Sequence, residues 1–187
     1  MLCSGILLCG GRGTRVGGVD KGWLEVEGRP LVEHVLERLS PQVNDLVISA
    51  NRHLERYASL GYPVFSDTLD GYQGPLAGIL SCLPQCAHEH VIVVPCDMPV
   101  LPERLTSRLL AGLGARDVSY AWDGNRDQYL VAAWRRELAP ALADYLASGG
   151  RAVHQWYAGL DVERVDFSDC GDRFANLNQL PIERTRG

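Results

Sequence analysis

Short apolar runs that alternate with helix-length amphipathic segments constrain this chain most. The clearest run is Val91-Ile92-Val93-Val94, a continuous β-branched stretch that suits a strand buried on both faces. Ser4–Leu8, Asp45–Ala50 and Val64–Phe65 read as further strands. Helical patterns lie between them. Pro30 opens one, with Leu31, Val35, Leu36 and Leu39 on its apolar side. Gly74-Pro75 opens another, with Leu76, Ile79, Leu80 and Leu83 aligned, and Pro102–Leu113 is a third. A βαβαβα series of this kind implies a parallel sheet covered by helices on both faces.

The second half differs. Val118–Trp122 and Tyr129–Trp134 flank the turn signal Asp123-Gly124-Asn125 and suggest a hairpin-like pair. A helix is expected from about Leu138 to Ala147, stopped by Gly149-Gly150, and Leu160–Val165 suggests a last strand. Leu24–Gly28 reads as a short extended piece ending in a turn. The expected fold class is therefore α/β, a Rossmann-like three-layer α/β/α arrangement. Its sheet is mostly parallel, with an antiparallel addition in the C-terminal half. At 187 residues, without a repeat or linker, the chain is expected to form one domain over 1–187.

A net charge of −5 disfavours nucleic acid as a partner. No apolar run reaches membrane-spanning length, and no basic n-region precedes the first strand. Cys3, Cys9, Cys82, Cys86, Cys96 and Cys170 form no Cys-x-x-Cys pair and read as reduced core thiols. A cytoplasmic location fits.

Ligands of open α/β sheets bind at the carboxyl ends of strands. Four polar features fall there: a glycine-rich loop after the first strand, Asn51, Asp67, and Pro95-Cys96-Asp97. The loop contains Gly10, Gly11, Arg12, Gly13, Arg15, Gly17 and Gly18 and closes on Asp20-Lys21. Lys21 is the only lysine among 18 basic residues. Glycines allow close backbone approach to an anion, while arginine forks and a mobile ammonium supply charge. The loop satisfies neither the Walker A pattern nor the dinucleotide fingerprint, since Val16 stands at the third glycine position. Asp97, between Pro95 and Pro99, suits Mg²⁺, which takes one or two carboxylates together with phosphate oxygens and waters. It could equally close a turn. Asn51 and Asp67 could serve a base or sugar, or serve the fold alone.

Together these residues resemble the MobA family of molybdenum cofactor guanylyltransferases. The resemblance rests on Leu8-Cys9-Gly10-Gly11, Arg15 to Lys21-Gly22, and Gly28-Arg29-Pro30-Leu31. It continues through Asn51, Asp67, Gly74-Pro75-Leu76-Ala77-Gly78 and Pro95-Cys96-Asp97-Met98-Pro99 to Asn176-Leu177-Asn178. It implies transfer of GMP from GTP to the terminal phosphate of molybdopterin, with release of pyrophosphate. Leu8, Cys9, Gly10 and Gly11 would meet guanine through the backbone, and Asn51 and Asp67 would contact base or ribose. Lys21 and Arg15 would neutralise the triphosphate, and Asp97 would hold Mg²⁺. Arg151, Asn176 and Asn178 would lie toward molybdopterin. Molybdenum-cofactor biosynthesis proteins and target molybdoenzymes are the implied protein partners. Three departures stand out: Cys9 for alanine, Val16 for methionine, and Asp127-Gln128-Tyr129-Leu130 for a His-Pro-Thr-like segment. Rival readings are a molybdopterin cytidylyltransferase, a sugar-phosphate nucleotidyltransferase, and a non-catalytic nucleotide-binding regulator.

Overall fold

A computed structural model describes residues 1–10, 20–68 and 74–175. Its centre is a seven-stranded sheet. β1 (Cys3–Leu8), β4 (Asp45–Ser49), β5 (Val64–Phe65) and β6 (His90–Pro95) are the strands expected from the apolar runs. The small hairpin β2 (Glu25–Val26) and β3 (Arg29–Pro30) stands apart from them. β7 (Val118–Trp122), β8 (Asp127–Arg135) and β9 (Val162–Asp166) complete the sheet in the order β5-β4-β1-β6-β8-β7-β9. β1 pairs in parallel with β4 and β6, β4 with β5, and β7 with β9. β8 is antiparallel to both β6 and β7, so it alone runs against the other six.

The hairpin expected in the second half therefore forms, but its second strand inserts between β6 and β7. Its turn is held by Asp123, whose Oδ1 accepts from the backbone N–H of Asn125 at 2.8 Å and of Arg126 at 2.6 Å. Gly124 supplies a φ of 95° there. The piece at Leu24–Gly28 is more than an extended segment. Glu27 and Gly28 both have positive φ, which folds the chain back so that β3 pairs with β2.

Period-two alternation divides the sheet between two cores. Leu7, Cys9, Ile48, Ile92 and Val94 face α1 (Leu31–Leu39) and α4 (Leu105–Leu113). Ile6, Leu8, Val47, Val91 and Val93 face α3 (Pro75–Cys82), α5 (Ala139–Ala147) and α6 (Val153–Tyr157). Each fully buried Leu, Ile or Val contributes roughly 1.5–3 kcal/mol. α2 (Leu54–Ala58) is a short helix whose Tyr57 is completely buried in the first core. The helix expected from Pro102 starts only at Leu105, and Pro30 precedes α1 rather than entering it. All six cysteines are free, five of them buried.

Candidate functional site

Strand register brings the polar features together. Leu8 pairs with Ser49 and with Pro95, and Ser49 pairs with Phe65. Those four residues form one row across β1, β4, β5 and β6. Gly10, Asn51, Asp67 and Asp97 each follow their row member by two positions. Between the two rows the ladder continues. Cys9 N–H donates to Ser49 O at 2.8 Å, Ala50 N–H to Phe65 O at 3.0 Å, and Cys96 N–H to Leu8 O at 3.0 Å. The strands thus deliver one glycine and three polar side chains to one edge at one level.

Asn51 and Asp67 are locked together. The Asn51 amide donates to Asp67 Oδ2 at 2.9 Å, and Asp67 N–H donates to Asn51 Oδ1 at 2.8 Å. Burial holds the Asp67 carboxyl above its ordinary value, although the Asn51 amide pulls the other way. Gly10 lies against this pair, because a Cβ there would sit 3.3 Å from Asn51 Nδ2. Gly78 of α3 approaches more closely still. A Cβ at that position would lie 2.5 Å from Ser49 Oγ and 3.4 Å from Asp67 Oδ1. The small residues of the Gly-Pro-Leu-Ala-Gly segment therefore let α3 pack on the sheet beside Asp67.

Lys21 and Asp97 meet across the site, with Nζ 3.7 Å from Oδ2. Their side chains are 37% and 26% exposed, so the pair is worth no more than about 1 kcal/mol and separates readily. Asp20 accepts from Gly22 N–H at 3.2 Å and caps the short turn that carries Lys21. Tyr57 donates to the same Asp20 Oδ1 at 2.7 Å. Sequence reading misses Tyr57, since nothing local pairs α2 with a turn 37 positions earlier. A general signal exists, because a buried tyrosine hydroxyl needs a partner.

Cys9 points into the first core, where burial and the neighbouring Cys96 push its thiol up. Its side chain is thus directed away from the edge, and its sulfur bears on packing. Leu8 already uses its carbonyl for Cys96, which leaves Cys9 and Gly10 as the positions where the ladder gives out. Arg151 is engaged elsewhere, its Nη1 donating to Leu146 O at 2.7 Å and to Gly150 O. Gly11, Arg15, Asn176 and Asn178 lie outside the described residues. His34 contacts Val26 O, and His88 pairs with Asp45 at the opposite end of β4.

Among the described residues no three acidic, cysteine or histidine side chains cluster to cage a metal. A single carboxylate such as Asp97 is compatible with Mg²⁺, which takes one or two carboxylates together with phosphate oxygens and waters. Among the described residues no helix is long and apolar enough to cross a membrane.

A family model for the MobA-like NTP transferase domain matches residues 5–162. A molybdenum cofactor guanylyltransferase of Pasteurella multocida is 43% identical over 179 residues, covering 95% of each chain. One from Shewanella loihica is 41% identical over 175 residues, 92% of this chain and 89% of the relative. The crystal structure of molybdopterin-guanine dinucleotide biosynthesis protein A from Archaeoglobus fulgidus superposes with a TM-score of 0.77 at 24% identity. The match covers 94% of this chain and 92% of that one, and it is a likeness of fold.

Proposed function

The chain belongs to the MobA-like NTP transferase family, and from that premise we propose that it transfers GMP from GTP to molybdopterin, forming the guanine dinucleotide cofactor and pyrophosphate. The observation that carries the reading is the common row of Gly10, Asn51, Asp67 and Asp97, with Lys21 reaching Asp97 from the end of the glycine-rich loop.

In this reading the Asn51–Asp67 pair, backed by Gly78, receives the base or ribose, and the backbone at Cys9 and Gly10 borders the base. The α-phosphorus faces the molybdopterin phosphate, whose oxygen attacks in line while pyrophosphate leaves. The nucleophile is already anionic, so no general base is needed. Placement and charge neutralisation then supply most of the rate. Before substrate arrives, Lys21 and Asp97 hold each other's charge. On binding, the ammonium turns to the β- and γ-phosphates and compensates the charge of the leaving group. Asp97 would hold Mg²⁺, which supplies Lewis-acid polarisation of phosphate oxygens when bound. Arg15 would assist Lys21, and Gly11 would extend the guanine contacts. Arg151, Asn176 and Asn178 would lie on the molybdopterin side. The N-terminal part would bind GTP and the C-terminal part molybdopterin within one domain.

Pyrophosphate release, measured with GTP, CTP and ATP in turn and with molybdopterin supplied, tests the reading. Release with GTP above the other two is expected. A clear preference for CTP would overturn the guanylyl assignment, and tight GTP binding without release would point to a regulator.

A further inference from the structure

We propose that Tyr57 is a positioning residue for Lys21, acting through Asp20 and the close fit of Gly22 beneath its hydroxyl. The inference rests on the assignment of Lys21 to the triphosphate. Four observations converge on it. Tyr57 is completely buried, although α2 is only five residues long and leaves Leu54 exposed. Its hydroxyl donates to Asp20 Oδ1 at 2.7 Å, and the same oxygen accepts from Gly22 N–H at 3.2 Å. Its ring packs against Trp23 with centroids 4.9 Å apart, and Arg56 covers Trp23 at 3.8 Å. A Cβ on Gly22 would collide with the Tyr57 oxygen, the next nearest atoms being ring carbons at 3.3 and 3.4 Å.

Lys21 is therefore flanked on both sides by residues that Tyr57 fixes, Asp20 before it and Gly22 and Trp23 after it. Its own side chain reaches Asp97 and makes no part of this clamp. A long, freely rotating side chain acts at a defined distance only if its Cα is held, and the clamp supplies that hold. The hydroxyl remains a donor at every ordinary pH, because burial and the neighbouring Cys9, Cys96 and Asp20 push its ionisation upward. Sitting beneath the turn, Tyr57 influences the reaction through the lysine.

The test uses the full chain, with turnover followed as pyrophosphate release and folding as the melting temperature. Tyr57→Phe keeps the ring on Trp23 and removes only the hydroxyl. We expect kcat at saturating GTP to fall about tenfold, with KM for GTP shifting less than about threefold. Melting should fall by only about 4 °C. Gly22→Ala provides the second arm. Alone it should lower kcat at least about tenfold, because its methyl group meets the hydroxyl. Added to Tyr57→Phe it should lower kcat less than about threefold further, since the nearest atom is then a ring carbon. Wild-type kcat in Tyr57→Phe overturns the inference, and so do losses from the two substitutions that simply multiply. Lys21→Ala separates the two levels. If it turns over normally, the site reading itself fails. If it is inactive while Tyr57→Phe is fully active, only the role of Tyr57 fails.

Discussion

Gly78→Ala adds one methyl group at the point where α3 meets the sheet, and the geometry fixes what that group does. It would stand 2.5 Å from Ser49 Oγ, 0.9 Å short of the 3.4 Å at which ordinary contact begins. Ser49 is 1% exposed on β4, so its hydroxyl has no free space to enter. Either α3 lifts or β4 shifts, and overpacking of this kind typically destabilises by about 2 kcal/mol. For a chain of this size that corresponds to a fall in melting temperature of about 4–8 °C. The methyl itself stands only at ordinary contact, 3.4 Å, from Asp67 Oδ1, but the movement of α3 or β4 that relieves the Ser49 clash carries the neighbouring Asn51–Asp67 pair out of place, so GTP affinity should fall about tenfold. Melting by circular dichroism and GTP titration by calorimetry measure the two effects. Ser49→Ala supplies the internal check. With the hydroxyl gone, the next contacts of the new Cβ are Asp67 Oδ1 at 3.4 Å and Leu8 Cδ2 at 3.5 Å. The double variant should therefore recover most of both losses. A Gly78→Ala protein that melts and binds GTP like the wild type would refute the reasoning, as would failure of Ser49→Ala to rescue it.

Lys21→Ala should lower kcat by at least about 100-fold while shifting melting by less than about 3 °C, because the half-exposed ion pair it breaks is weak. Asp97→Ala should lose the Mg²⁺-dependent part of turnover, visible as a flat response when Mg²⁺ is titrated into the pyrophosphate assay. Asp67→Asn gives a pH signature. Since the folded carboxyl titrates above its unfolded value, the wild type keeps its full stability below the unfolded pKa and loses some as pH rises through the folded one. The variant carries no such loss, so its melting temperature relative to wild type should be higher at pH 7 than at pH 4.

Much of the fold and part of the site are legible in the sequence, and the limits are physical. The run Val91–Val94 can hardly be anything but a central strand, and β6 is buried on both faces. The same pattern puts Asn51, Asp67 and Asp97 at strand ends, because a parallel sheet gathers all its carboxyl ends on one side. The level at which they stand depends on register, which no local pattern states. Insertion of β8 between β6 and β7 is likewise hidden, since two runs and a turn define a hairpin without saying which strand faces inward. The Asp20–Tyr57 bond and the Ser49–Gly78 approach join residues far apart in sequence, and only packing reveals them. Where proline precedes the first turn the helix starts later than the pattern suggests, at Leu31 rather than Pro30 and at Leu105 rather than Pro102.

The direction of β8 has a consequence for how such a chain can diversify. Six strands offer the ligand edge the loops that follow them, where insertions and new sequences change backbone and side chain together. The reversed strand offers that edge its beginning. Asp127 and Gln128 stand there already paired with Trp122 and Ala121, so they are rungs of a frame. Exchanging those two swaps the chemical surface at the edge on positions that pairing already holds. Just beyond those rungs the pairing with β7 changes register, passing from Gln128 opposite Ala121 to Ala132 opposite Tyr120, so Tyr129 and Leu130 lie where the frame itself is irregular and a change there can alter backbone as well as side chain.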